Sequence, residues 1–285
     1  MGFRGNSTLQ DVQAVYSGPE GALWELIMGE QIHIGGLKSS RNLADAAGIQ
    51  PGSRGVDLCC CTGAGMRFLV HFRGVAEMTG VDATAAVIET GKRRCRGLGM
   101  DGKITFVCAD ACASGLPDAA SDFVWGEDAW CYVADKGKLI SEAARIVKPG
   151  GTIAFTDWIE GENPLKESEA ARFLGFMKFP GVETLAGYTR LLDAVGCEVV
   201  SAFDTGLFPV CMDAYLGYVE NQIAYDVFRT LGFDPRAFEA VAGEMEFIRR
   251  LAHERKVAQG LFIARKLGSR NRMESKAATS WYGDN

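Results

Sequence analysis

Three aspartates fall where a ligand could use them. Asp57 sits in "GVDLC", Asp82 closes "AEMTGVD" and Asp110 closes "ITFVCAD", each at the end of a short apolar run. Open α/β sheets bind ligands beyond the carboxyl ends of their strands, so acids at those ends are candidates for chemistry. Between the first two lies "VDLCCCTGAG" (56–65), a turn of small residues with three cysteines where a nucleotide-binding turn carries glycines. A cofactor loop, a metal site and a redox site all need consideration.

The surrounding elements decide whether these residues can meet. From about residue 54 to 157, apolar runs alternate with amphipathic segments. "GVDLC" is followed by "GMRFLVHF", and "AEMTGVD" by "TAAVIETGKRRCRGLG". Then come "ITFVCAD", "SDFVWGED", the helical "DKGKLISEAARIV" and "GTIAFTDW". Continuous apolar strands separated by helical patterns predict an α/β fold with a mostly parallel sheet covered on both faces. Residues 159–182 read as irregular. "TLAGYTRLLDAVG" (184–196) reads as a helix, "CEVVSAFDT" (197–205) as a strand, 210–256 as helical and "AQGLFIARK" (258–266) as the last strand. The division expected is a helical lid over 1–50 and a ligand-binding core over 51–158. The rest of the sheet with cap insertions spans 159–267, and a polar tail 268–285 carries Trp281 and Tyr282.

The loop chemistry narrows the ligand. Gly63-x-Gly65 is followed by Phe68 where a G-x-G-x-x-G dinucleotide loop has its third glycine. Asp57 in the first turn would also face a pyrophosphate with like charge. An NAD-dependent dehydrogenase is therefore disfavoured. A cofactor with a positive amino group and no phosphate suits Asp57, and S-adenosylmethionine meets that description. Asp82 would then take ribose hydroxyls and Asp110 the adenine amine. Three consecutive cysteines do not point at one centre, and no C-x-x-C partner exists, so no metal is expected. A redox role needs an exposed thiolate of low pKa.

Residues 54–157 resemble the Rossmann-like class I methyltransferases. Asp57-Leu58-Cys59-Cys60-Cys61-Thr62-Gly63 matches their first motif, D-x-G-x-G-x-G, and "GVDAT", "ADACASGLP" and "RIVKPGGTIAF" follow in order. The resemblance implies a seven-stranded Rossmann-like sheet, with Ala83, Ala111 and Glu127 beside the three aspartates at the cofactor. Cys59 and Cys61 depart from the motif's glycines. Cysteine is small enough for close approach to a ligand but is poorly suited to positive φ. A chain that kept the fold while its loop degenerated would be a binding protein without catalysis, and these two cysteines keep that alternative open.

A second resemblance precedes the core. "YSGPEGALWELIMGEQIHIGG" (16–36) is similar to the N-terminal segment of glycine/sarcosine/dimethylglycine methyltransferases, which implies lid and site roles for Tyr16 and His33. Trp24 and Ile32 read equally well as helix packing. "WGEDAWCYVADKGK" is similar to the stretch lying beside the transferred methyl in that group. It brings Asp128, Trp130 and Tyr132 near the acceptor, with Tyr132 where several relatives have histidine. Trp158 joins the same rim, while Trp125 lies within its strand and reads as core. His33, Asp128 or Tyr132 would help an amine lose its proton, and Lys178 (less so Arg172 or Arg190) would pair with an acceptor carboxylate. The expected reaction is N-methylation of a small amine such as sarcosine or dimethylglycine. O- or C-methylation of a quinol, isoprenoid or polyketide is the rival, with a thiol or metalloid acceptor third.

Composition sets the outer limits. The 285 residues are 47% apolar and 23% charged, with a net charge of −6, which gives no support to a nucleic-acid partner. No apolar run reaches the length of a membrane span, and "MGFRGNSTLQDVQ" lacks the apolar core of a signal peptide. Nine cysteines, an odd number in a chain of this size, read as thiols in a reducing cytoplasm. The partners expected are a small-molecule methyl acceptor and, as an option, a second copy of the chain.

Overall fold

The apolar runs become strands β1 (Arg54–Leu58), β2 (Glu77–Asp82), β3 (Ile104–Cys108), β4 (Ser121–Glu127), β5 (Val147–Glu160), β6 (Cys197–Asp204) and β7 (Val257–Lys266). The structure is a computed structural model and describes residues 2–268. The strands form one seven-stranded sheet in the order β3-β2-β1-β4-β5-β7-β6. The first five pair in parallel, and β7 runs antiparallel to both of its neighbours. This is the Rossmann-like sheet that the sequence predicts. The order reverses between β1 and β4, so a crevice opens above their carboxyl ends.

Both faces are covered, which is why the central strands carry unbroken apolar runs. On one side Met66, Phe68 and Leu69 of α4 (Ala64–Arg73) and Leu43 of α3 (Gly36–Ala47) pack against Phe123, Trp125 and Ile263. On the other, Leu139, Ile140 and Ala143 of α6 (Lys136–Ile146) and Tyr188 of α8 (Leu185–Ala194) pack against Val124, Phe155 and Phe262. Helix α5 (Ala85–Gly97) links β2 to β3.

A third core lies beyond the sheet. It joins α1 (Leu9–Ser17) and α2 (Pro19–Met28) to α7 (Glu167–Met177) and to the helices α9 (Phe208–Gly217), α10 (Ala224–Thr230) and α11 (Pro235–His253). Thr8 starts α1 by capping it reciprocally with Asp11. The expectation of irregular chain over 159–182 is corrected by α7. Its buried Ala170, Phe173, Leu174 and Met177 recur at helical spacing, and Glu167 and Glu169 favour its first turn. The helical stretch expected over 210–256 is broken by a π turn at Tyr218–Gln222 and a loop before Pro235. The expected polar tail, apart from Gly268, lies outside the described residues. Among those described, no helix is long and apolar enough to cross a membrane.

Candidate active site

A cavity of about 290 Å³ opens at the strand-order reversal. Tyr16, His33, Asp57, Cys59, Cys61, Asp82, Ala83, Asp110, Ala111, Glu127, Asp128 and Tyr132 all line it. Four expected site residues do not. Gly63 instead starts α4 at φ 76°, where a Cβ would lie 2.8 Å from both Met66 Cε and Phe106 Cζ. Trp130 is fully buried, stacks on Phe155 with ring centres 4.0 Å apart, and donates Nε1–H to the Leu58 carbonyl at 3.1 Å. Trp158 packs with Phe173, Phe179 and Phe208 in the cap core. Lys178 terminates α7 in left-handed conformation, and its charge lies near Asp11 and Glu20 of the lid. Trp130 and Trp158 are thus core residues, Trp130 stacked on Phe155 under the sheet face and Trp158 among the rings of the cap core.

The cysteine loop holds a glycine-like backbone. Cys59 has φ 65° and Cys61 φ 48°, so both occupy the left-handed region to which cysteine is poorly suited. A non-glycine residue there costs on the order of 1–3 kcal/mol and persists only when its surroundings fix it. The fixing groups are visible. Asp82 Oδ2 accepts from Cys61 N–H at 2.9 Å, and Val81 O accepts from both Cys59 N–H and Cys60 N–H. Cys60 fills the notch left by Gly80, where a Cβ would lie 2.5 Å from its Sγ. Burial raises the pKa of all three thiols, Cys61 to about 12, so they are neutral and suited to neither metal nor redox work. Among the described residues, no group of three or more His, Cys, Asp or Glu is placed to hold a metal ion. We expect Cys61→Gly to be more stable than Cys61→Ala by about 1 kcal/mol in urea unfolding. Both lose the thiol, but only glycine loses the strain.

The deep wall is a cluster of acids. Asp57 is buried and its pKa is raised, first by desolvation and then by Glu127 and Asp82. Gly65 admits this cluster: a Cβ there would lie 2.5 Å from Glu127 Oε2 and 3.6 Å from Asp57 Oδ2. Glu127 Oε1 and Trp125 Nε1 are buried without a hydrogen-bond partner. His33 Nε2 stands 3.4 Å from that Glu127 oxygen and 3.2 Å from Ser40 Oγ. Buried carboxylates side by side with an orphaned oxygen suit a positively charged ligand group.

At the other end the lid closes over the cavity. Tyr16 Oη donates to Tyr132 Oη at 2.9 Å with the rings edge to face, and burial raises the pKa of both. Gln13 Nε2 donates to the Ala83 carbonyl at 2.7 Å. Arg94 bridges Glu25 of the lid at 2.5 Å and Thr62 of the loop at 3.3 Å, while buried Arg67 bridges Glu30 and the Thr62 carbonyl. Asp128, at φ 49°, accepts from Gln259 Nε2 at 2.8 Å and Ile34 N–H at 2.8 Å. Its carboxylate is therefore occupied in holding the lid to the sheet. Sequence reading missed Gln259, although a glutamine inside the apolar run "AQGLFIA" asks for a buried partner.

Residues 56–155 match the protein family described as "Methyltransferase domain". Over 135 residues, 47% of this chain and 36% of that protein, the sequence is 30% identical to the sterol 24-C-methyltransferase of Eremothecium gossypii. It is 24% identical to phosphoethanolamine N-methyltransferase 3 of Arabidopsis thaliana over 85% of this chain and 48% of that one. The chain thus spans half or less of the length of these curated relatives. A putative sarcosine dimethylglycine methyltransferase from Galdieria sulphuraria shares the fold with a TM-score of 0.75 at 22% identity, over 86% of this chain and 97% of that one. Residues 56–155 thus match a methyltransferase domain, and the sheet around them has the Rossmann-like fold of the class I, S-adenosylmethionine-dependent methyltransferases. S-adenosylmethionine is the cofactor of that class, and the acid-walled cavity fits it through its positive amino group.

Proposed function

We propose that the protein transfers a methyl group from S-adenosylmethionine to the nitrogen of a small amine. The bound cofactor supplies an activated methyl on a sulfonium centre. Asp57 and Glu127 would hold its amino group, Asp82 its ribose and Asp110 its adenine, while Cys59, Cys61, Ala83 and Ala111 shape the wall between them. The acceptor would lie toward Tyr16, His33 and Tyr132, with water excluded by the lid.

The observation that supports the amine reading is the buried acid wall, where Asp57 and Glu127 face the cavity and one Glu127 oxygen has no hydrogen-bond partner. Tyr16 and Tyr132 are neutral and bonded to each other, and both Asp128 oxygens receive donors from Gln259. A phenol or quinol needs its proton removed by a positioned group. An amine must likewise give up a proton before attack, with His33 the candidate base left on the cavity wall, but unlike a phenol it ends the transfer as a cation, which an acid-lined cavity favours. Lys178 does not line the cavity, so the pairing with an acceptor carboxylate that pointed to sarcosine or dimethylglycine loses its support. Reduced thiols around the cavity accord with a cytoplasmic setting.

The test is release of S-adenosylhomocysteine, followed by mass spectrometry, with separate pools of amines and of phenols, quinols and prenyl alcohols. Turnover confined to the amine pool is expected, with product mass counting the methyl groups. Turnover confined to the second pool replaces the reading with O- or C-methylation.

A further inference from the structure

Resting on the methyltransferase reading, we infer that this cavity selects an acceptor that carries no anionic group, excluding amino acids and phosphate esters in favour of neutral or cationic compounds. The inference comes from where every nearby cation goes. Glu30, Asp57, Asp82, Asp110, Glu127 and Asp128 all contribute to the lining. Against them, Lys138 is the one lysine or arginine lining the cavity among the described residues. Its side chain is 74% exposed and its ammonium lies 3.5 Å from Asp135, which also lines the cavity.

The other cations around the acceptor end are committed elsewhere. Lys136 is buried directly behind Tyr132, but its Nζ donates to the backbone carbonyls of Cys131, Val133 and Gly181. It braces the wall from outside, with Asp157 as its nearby counter-charge. Arg4 reaches the same wall and donates to the Ala134 carbonyl, with its other nitrogen 3.6 Å from Glu183. Arg67 and Arg94 are held by Glu30, Glu25 and Thr62. His33 also lines the cavity, but its Nε2 lies 3.4 Å from Glu127 and 3.2 Å from Ser40 Oγ. A carboxylate or phosphate entering past Tyr16 and Tyr132 would therefore lose its water without gaining a lysine or arginine partner, in the field of the acids. A bound cofactor offsets part of that field with its own amino group and sulfonium. It supplies no donor on the lid side, where Leu9, Val12, Ile32, Val133 and Pro180 line the cavity beside Tyr16, which donates to Tyr132, and Gln31, which donates to Ser40.

This differs from asking which atom is methylated, so the two are tested apart. The full chain would be assayed with S-adenosylmethionine on acceptors matched in skeleton and differing in charge. The amine set is N,N-dimethylethanolamine, N,N-dimethylglycine and phospho-N,N-dimethylethanolamine, with a benzylamine and its ring carboxylate as a larger pair. The non-amine set is a prenyl alcohol with its diphosphate and a phenol with its ring carboxylate. The expected result is a kcat/KM at least ten-fold higher for the uncharged or cationic member within whichever set turns over. Binding of the same compounds to the S-adenosylhomocysteine complex, followed by calorimetry, should keep that order. A higher kcat/KM for any anionic member, or no preference by charge in either measurement, overturns the inference. Turnover in the non-amine set with the uncharged members ahead removes the amine reading and leaves the charge selection standing.

Discussion

Asp57→Asn is expected to bind S-adenosylhomocysteine about 10–100-fold more weakly than the parent, yet to unfold at a higher temperature when no ligand is present. The two effects have one cause. Asp57 is buried beside Glu127 and Asp82, and its raised pKa means that the fold works against its charge. Replacing the carboxylate with an amide removes that repulsion and should stabilise the ligand-free protein by about 1 kcal/mol or more, since each unit of pKa shift is worth about 1.4 kcal/mol. The same change removes the charged acceptor for the ligand's amino group, and a hydrogen bond to a charged group is worth about 1.5–3 kcal/mol.

The pH dependence has a definite sign. As pH rises, the unfolded chain gives up this proton near its ordinary value of about 4, before the folded protein does. The ligand-free parent therefore loses stability with rising pH from there up through the raised folded value, and Asp57→Asn lacks that component. Calorimetry and thermal melts across pH check both halves. Unchanged affinity would show that Asp57 does not face the ligand. A lower melting point would show that its charge has a stabilising partner.

The meeting of the three aspartates at one cavity was legible because their places follow from strand ends. Asp57, Asp82 and Asp110 lie at or just past the carboxyl ends of β1, β2 and β3, so a parallel sheet brings them together whatever else the chain does. The aromatic residues were read less well. Type and sequence proximity placed Trp130 and Trp158 near the acceptor, but a large ring is as readily claimed by a core. Stacking on Phe155 and Phe173 decided that competition, and pairing between distant strands and helices is invisible in a local window. Cys59 and Cys61 hold positive φ although their type suits it poorly, and the cause is out of a local window: Asp82 and Val81, more than twenty residues on, hold the loop. Lys178 failed for a related reason, since the last turn of α7 directs it toward the lid acids Asp11 and Glu20.

The lid is where a single substitution should cost most stability. Asp128→Ala is expected to lose about 3–5 kcal/mol, read from urea unfolding. Its carboxylate accepts from Gln259 Nε2 and from Ile34 N–H, and Gln259 also donates to the Ile34 carbonyl at 3.0 Å. This links β7, the end of β4 and the turn after α2, three parts of the chain more than ninety residues apart in sequence. Alanine would strand two buried donors at about 1–3 kcal/mol each. It would also place a less tolerant residue at φ 49°. Asp128→Asn keeps the shape and tolerates that backbone, but its amide NH₂ must meet a donor from Gln259 or Ile34. An intermediate loss is therefore expected. Hydrogen exchange over residues 9–34 should quicken in the alanine variant more than exchange in β1–β3, because the lid is attached through Ile34 while the sheet is not. A loss below 1 kcal/mol, or uniform quickening across the molecule, would mean that the lid is held by the cap core around Trp24 and Trp158, and that Asp128 is free to act on an acceptor after all.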